Sequence, residues 1–286
     1  MATYQIITDS CCDLYEHQYR DLNVPYAPLS VLFKGEEHKN FSDDVSMKAF
    51  YNGLREGMTA STSAVNPEGW AQIMIPALEQ GKDILAICFS SGLSTTYQSA
   101  VIAAEELREK YPSRTINVVD SLCAALGQGL LVWLAAKKRD EGMDLQELTS
   151  WVEDNKLKLC HWVTVDDLNH LKRGGRVSAT TAFVGTMLSI KPIIRVDDNG
   201  KLETCGKVRG RKAAIHHIAQ KLDEHITDRS IAFIAHGDCM EDAKALETII
   251  REQYGVEHVE IGNVGGVIGA HTGPGVLVVF FLGDHR

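Results

Sequence analysis

The first apolar segment, YQIIT at residues 4–8, has the length of a short buried strand, and Asp9 and Ser10 after it are suited to cap the next turn. A second strand is predicted over residues 24–33, and a helix over 46–57 after an acid-rich loop. Residues 59–69 read as a polar loop. Pro67 then fits the first turn of a helix reaching about residue 80, with Asn66 as its cap.

The pattern is clearest between residues 83 and 139. A run of apolar residues (83–89), a hydroxyl-rich turn (90–96), a helix (97–111), a strand (115–119), a turn at Asp120-Ser121 and a helix (122–139) follow one another with short connections. That alternation predicts parallel βαβ units, in which ligands sit at the carboxyl ends of the strands. The second half is α+β. Strands are expected at 162–165, 191–196, 201–207, 230–235, 259–261 and 276–282, and helices at 178–189, 212–226 and 242–254. Residues 168–176 form a helix end that runs into a glycine stop, and Asp198-Asn199-Gly200 marks a hairpin. The expected fold is therefore α/β with two domains: a Rossmann-like parallel unit over 1–158 and an α+β unit over 159–286.

Composition narrows the function. The chain has 286 residues and a net charge of −9, so nucleic acid and anionic lipid are poor main partners. The N-terminus has no secretory pattern, and the longest apolar run, 276–282, is far short of the roughly 20 residues that span a bilayer. A cytoplasmic protein without a transmembrane segment is expected, with transient membrane contact left open. The seven cysteines are odd in number and scattered, which suits reduced thiols. Small buried thiols are the plainer account of most of them, and the role of Cys11 and Cys12 stays open.

Three constellations carry candidate chemistry. The first is the pair of hydroxyl-rich segments, Ser61-Thr62-Ser63 and Ser90 to Thr96, the second placed where a helix begins. Hydroxyls and the first N–H groups of a helix bind a carboxylate or phosphate, though simple capping uses the same residues. The second is the glycine-rich stretch 262–275, which holds His271 and does not spell a dinucleotide or P-loop fingerprint. The third is basic: Lys172, Arg173 and Arg176, then Lys207, Arg209, Arg211 and Lys212. These are solvated faces or a docking patch for an acidic or phosphorylated partner. Metal-ligand spacings and the G-x-S-x-G elbow do not occur, so no metal and no cofactor are expected. A Ser–His–Asp triad assembled from distant loops stays compatible with the sequence.

Taken in order, Thr8-Asp9-Ser10, Thr62-Ser63 with Pro67, Ser90-Ser91-Gly92-Leu93-Ser94, Thr96-Tyr97-Gln98, Asp120-Ser121, residues 171–176 (LKRGGR), Lys191-Pro192, Gly237-Asp238 and residues 271–275 (HTGPG) make a specific set. On these the chain resembles the DegV family, whose members include the fatty-acid-binding subunits of bacterial fatty acid kinase. The resemblance implies a long-chain fatty acid buried between two domains, with its carboxylate at Thr62, Ser63 and Ser94, a backbone amide from Thr95, and His271 near the headgroup. The family usually has glycine where this chain has Thr95. Arg173, and less directly Arg209, match the arginines that meet the kinase. The implied function is a carrier, not an enzyme: it presents the carboxylate to a separate kinase, which makes the acyl phosphate. The alternative is a hydrolase or phosphotransferase using Ser94 and His271. A buried carboxylate needs several donors, and an apolar tunnel would contribute about 0.8 kcal/mol per CH₂. Phe183, Met187, Ile193 and Ile268 are candidate tunnel residues.

Overall fold

A computed structural model describes residues 3–177 and 189–286. The helix expected over 178–189, apart from its last position, and the tunnel candidates Phe183 and Met187 lie outside the described residues.

The chain opens with β1 (Tyr4–Asp9), all six residues buried, then α1 (Glu16–Asp21), β2 (Tyr26–Ala27), β3 (Ser30–Phe33), β4 (Glu36–Lys39) and α2 (Asp44–Arg55). It continues through β5 (Ala60–Ser63), α3 (Pro67–Glu79), β6 (Asp83–Cys88), α4 (Thr96–Lys110), β7 (Ile116–Asp120), α5 (Leu126–Asp140) and α6 (Leu145–Asn155). Then come β8 (Leu159–Thr164), α7 (Asn169–Arg173), β9 (Ile190–Val196), β10 (Leu202–Arg209), α8 (Arg211–His225) and β11 (Ile231–His236). The last elements are α9 (Met240–Glu252), β12 (His258–Asn263), α10 (Gly266–Thr272) and β13 (Leu277–Leu282).

Strands β2-β1-β6-β7 form a parallel sheet, as the βαβ pattern predicts. Strands β10-β9-β8-β13-β11-β12 form a mixed sheet, with β13 antiparallel to both neighbours. Helix α5 lies between the two sheets. Its Leu126, Leu130 and Leu131 share one apolar cluster with Ile6 and Leu85 of the parallel sheet and Phe233 and Phe280 of the mixed sheet. The Asn66 cap is present: its side chain accepts from the Gly69 N–H at 2.8 Å, with Pro67 at the first helical position.

Several elements differ from the pattern-based reading. The strand expected over 24–33 is two strands in two sheets: β2 pairs with β1, while β3 pairs with β4 and β5 in a separate three-stranded sheet. Within the supposed polar loop, residues 60–63 are the edge strand β5. Its Ala-Ser-Thr-Ser sequence carries no apolar face, so its pairing with β3 rests on the backbone. The helix expected from residue 122 starts at Leu126, because Leu122 and Ala125 adopt left-handed backbone angles (φ 53° and 52°). The glycine-rich stretch is not simply a loop: its centre is α10. Gly266 and Gly269 let that helix press against the Phe41 and Tyr51 rings, which a methyl group would meet at 2.9 and 2.7 Å.

Two buried carboxyl groups fasten these parts. Asp9, at the carboxyl end of β1, accepts from Cys11 N (3.0 Å), Phe89 N (2.7 Å) and Gln128 Nε2 (3.2 Å). Asp13 (φ 53°) accepts from the backbone N–H of Gly265 and from Asn40 Nδ2 at 3.4 Å. Asn40 Oδ1 accepts from Val267 N (2.8 Å) and the Phe41 carbonyl from Gly266 N (3.0 Å), so the first N–H groups of α10 are satisfied from residues 13, 40 and 41. Burial pushes the Asp9 carboxyl up to about 6 and the Asp13 carboxyl up to about 8. Cys11 and Cys12 are fully buried beside them, and burial raises their thiols well above the ordinary value, which marks packed thiols rather than nucleophiles.

The raised Asp13 pKa has a stability consequence. Between its ordinary value near 4 and about 8 the folded protein holds a proton that the unfolded chain releases. Stability is therefore lost as pH rises through that window. Asp13→Asn keeps the acceptor oxygen and tolerates the left-handed backbone, but carries no charge. Thermal melts at pH 5, 6.5 and 8 are expected to show the variant's melting temperature gaining on the wild type as pH rises. A constant difference would place the Asp13 pKa in the ordinary range.

Candidate functional site

The carboxyl end of β6 leads into residues 89–95, the turn before α4. Phe89 N is held by Asp9, Ser91 N donates to Asp120 Oδ1 at 3.1 Å, and Ser94 Oγ accepts from Thr96 N at 3.2 Å. Ser94 Oγ also lies 2.8 Å from Thr96 Oγ1. Opposite stands β5 with Thr62 and Ser63, and α10 brings His271 between them. Thr62 Oγ1 and His271 Nε2 are hydrogen-bonded at 2.9 Å.

These groups close one end of a cavity of about 600 Å³. Thr62, Ser63, Ser94, Thr95 and His271 all line it, so the structure brings the five expected headgroup residues together. Thr95 has φ −83° and ψ 5°, a conformation open to any residue, so its side chain imposes no backbone strain where the family usually has glycine. The remaining wall is largely apolar and includes Leu29, Phe89, Val163, Val196, Ile268 and Phe280. Ile268 is thus on the wall as expected. Ile193 is not: it is buried in the core between the mixed sheet and α8.

Arg176 and His161 are among the wall residues not singled out as headgroup or tunnel candidates. Arg176, grouped by sequence with a surface cluster, lines the cavity, its Nε donating to the Leu93 carbonyl at 3.3 Å. Gly175, in the left-handed region (φ 69°), reverses the chain after α7 and turns Arg176 inward. His161 on β8 lines the apolar part. Its Nδ1 donates to the Leu159 carbonyl (2.9 Å) and its Nε2 accepts from Ala124 N (3.2 Å), which fixes a neutral tautomer. Burial, then Arg286, lowers its pKa to about 3. Gly127 makes room for the ring, since a methyl there would lie 2.2 Å from His161 Nε2.

Burial, then the Arg176 charge, lowers the His271 pKa to about 4, so the imidazole is neutral at pH 7. The site at rest thus offers hydroxyls, one neutral imidazole and one guanidinium, a set suited to a single carboxylate. Arg173 lies outside this cavity, on the wall of a second one of about 290 Å³ that shares Thr62, Arg176 and His271 with the first. Arg209 is exposed on β10 and lines neither. Among the described residues no cluster of His, Cys, Asp and Glu is arranged to hold a metal, and no helix is long and apolar enough to cross a membrane.

Comparison with known proteins agrees with this architecture. The model of the DegV family, described as uncharacterised proteins, matches residues 3–284, and the chain belongs to that family. A DegV domain-containing protein of Clostridium perfringens is 47% identical over 289 residues, covering 100% of this chain and 99% of the relative. Another from Streptococcus pyogenes is 35% identical, with 99% of each chain covered. Among solved structures, a DegV family protein of Thermus thermophilus described by its fatty acid binding superposes with a TM-score of 0.86. It is 30% identical, over 97% of this chain and 98% of that one. DegV of Bacillus subtilis, described as a fatty acid binding protein, superposes with a TM-score of 0.81 at 29% identity, over 98% and 99%.

The close approach at the headgroup end is testable. Gly174 has ordinary helical angles, but a methyl on it would lie 2.3 Å from His271 Nδ1. Gly174→Ala is expected to displace the imidazole and destabilise the fold by about 1–3 kcal/mol, read by urea denaturation. A variant as stable as wild type would mean that His271 moves freely.

Proposed function

We propose that this chain binds one long-chain fatty acid, with the acyl chain in the apolar part of the 600 Å³ cavity and the carboxylate at Thr62, Ser63, Ser94, Thr95 and His271. The observation that carries the reading is the union in one cavity of a long apolar wall and a compact set of neutral donors with one arginine. A carboxylate taken from water needs its hydrogen bonds replaced, and hydroxyls backed by Arg176 supply them. The acyl chain would add about 0.8 kcal/mol for each buried CH₂. The solved relatives described as fatty-acid-binding proteins support the same assignment.

In this reading residues 1–158 supply the headgroup loops and residues 159–286 supply His271 and much of the tunnel. The chain brings no cofactor and acts as a cytoplasmic carrier. A separate kinase phosphorylates the presented carboxylate to an acyl phosphate, and the exposed Arg173 and Arg209 are its docking contacts. The local geometry speaks against the chain as a Ser–His enzyme. Ser94 is bonded to Thr96 and His271 to Thr62, and among the described residues no hydrogen bond joins Ser94 to His271. An imidazole held near 4 is also a weak base at pH 7.

Organic extraction of protein purified from a bacterial host is expected to yield long-chain fatty acid in roughly stoichiometric amount. Thr62→Val and Ser94→Ala each remove a donor and should weaken binding to the delipidated protein by about 1–3 kcal/mol, measured by titration calorimetry. Equal affinity in both variants would move the carboxylate elsewhere.

Partner docking has its own readout. Arg209→Ala is expected to lower the rate at which kinase and ATP consume the bound acid while leaving fatty acid affinity near wild type. The chain with ATP alone should show no turnover. Turnover by the isolated chain that Ser94→Ala abolishes would establish the enzyme reading instead.

A further inference from the structure

A third cavity, of about 230 Å³, lies between the start of α1 and the segment 40–43, and it shares no lining residue with the two described above. Four aromatic side chains, Tyr15, Tyr19, Tyr26 and Phe41, line it together with the carboxylates of Glu16 and Asp43. Among the described residues no lysine, arginine or histidine is on its wall. The wall is held in shape without a ligand. Asn40 Nδ2 donates to the Ser10 carbonyl at 2.8 Å and Ser42 Oγ to the Leu14 carbonyl at 3.3 Å, while the Tyr19 and Tyr26 rings lie with their centroids 4.2 Å apart.

Several groups on this wall lack the partner that their chemistry calls for. Tyr19 is only 5% exposed, yet its hydroxyl has no hydrogen-bond partner among the described residues. Glu16 Oε2 accepts from the Tyr26 hydroxyl at 2.8 Å and Asp43 Oδ1 from Ser46 N at 2.9 Å. Neither carboxylate has a lysine, arginine or histidine nitrogen within 4.0 Å among the described residues.

We propose that this cavity binds a small organic ammonium ion. The faces of aromatic rings carry the negative part of their quadrupole and attract a cation, most strongly where water is excluded. The two carboxylates add negative charge on the same wall, and no cation there opposes it. Other ligand classes fit less well. An anion would meet two carboxylates and no countercharge. A bare metal ion needs several oxygen ligands at once, and among the described residues no three His, Cys, Asp or Glu side chains are grouped to hold one. A neutral apolar molecule would leave the Tyr19 hydroxyl without a partner. The volume is below the roughly 300 Å³ at which pockets for drug-sized ligands begin, which suits a compact ion. The charge has two chemical sources. A protonated amine can also donate N–H groups to Tyr19 and the carboxylates, whereas a fully methylated ammonium uses ring faces and charge alone.

An NMR titration of the isotope-labelled full-length protein tests this, with propylammonium chloride, tetramethylammonium chloride and propan-1-ol as probes and sodium chloride holding ionic strength constant. At least one ammonium ion should bind saturably, shift the amide signals of residues 14–26 and 40–43, and bind about tenfold or more tighter than propan-1-ol. Glu16→Gln combined with Asp43→Asn keeps both acceptor oxygens and the helix cap, and should weaken that binding roughly tenfold. Tyr15→Leu should weaken it roughly threefold to tenfold. Circular dichroism melts establish that the variants fold; if Tyr15→Leu does not, the carboxylate pair decides alone. Tighter binding of propylammonium assigns the site to protonated amines, and tighter binding of tetramethylammonium assigns it to quaternary ions. No saturable binding of either ion, propan-1-ol binding as tightly as both, or undiminished binding to the carboxylate variant would overturn the proposal. The fatty acid reading stands or falls separately, because none of these residues lines the larger cavity.

Discussion

The cavity owes its shape to the burial of Asp9 and Asp13 at the end of the first strand. A carboxyl group without water must find donors, and here the donors are backbone and amide N–H groups of distant segments. Asp9 draws Phe89 N and Gln128 to itself, which fixes the start of the turn that carries Ser94 and the seat of α5 between the sheets. Asp13 and Asn40 together receive the leading N–H groups of α10, which carries His271. The two faces of the headgroup site, far apart in sequence, thus meet because both are fastened to the same short loop. The raised carboxyl pKa values are the electrostatic sign of that burial.

How far the sequence revealed this depends on which contacts are local. The parallel sheet was legible because residues 83–120 carry a buried run, a hydroxyl turn and a helix in immediate succession, and each signal is decided within a few residues. Strand β5 was not, since Ala-Ser-Thr-Ser has no apolar alternation and becomes a strand only by pairing with β3. Thr62 and Ser63 were therefore picked out by their hydroxyls and given a carboxylate role by family resemblance, without the strand that carries them being foreseen. Arg176 was read with its basic neighbours because charge clusters on a chain look alike, whether solvated or folded inward. What separates it from Arg173 is the left-handed turn at Gly175, which sends one guanidinium to Leu93 and leaves the other exposed. His161 was hidden by its place in an apolar strand, where its partner Ala124 lies 37 residues away.

The balance of charge at the site follows from its surroundings. His161 is buried and His271 partly buried, and both are held neutral by burial reinforced by a nearby arginine. A neutral imidazole can stand beside Arg176 without repulsion and still donate or accept one hydrogen bond. Were His271 protonated at rest, two cations would share a half-buried pocket with no carboxylate on its wall among the described residues. The Thr62 hydroxyl, hydrogen-bonded to His271 Nε2, is in turn positioned by the β5 backbone. Thr62, Ser94 and His271 are thus held in place before any anion arrives, which limits the ordering that binding requires.

The two cavities divide one task by polarity. The larger has an apolar wall that ends in hydroxyls and Arg176. The smaller begins at those same residues and runs past Arg173 and His170. In the proposed reading, an amphiphile seated in the first would keep its tail among Val163, Val196 and Phe280 and bring its charged end to the junction at Thr62 and His271. The wall of the smaller cavity carries arginines and hydroxyls and, among the described residues, no carboxylate. Such a wall favours anionic groups over cationic ones on electrostatic grounds alone, and it does so independently of the tail's length. In the proposed reading, retention would thus be set on one side of the junction and selection of the approaching group on the other, with Thr62, Arg176 and His271, which line both cavities, between them.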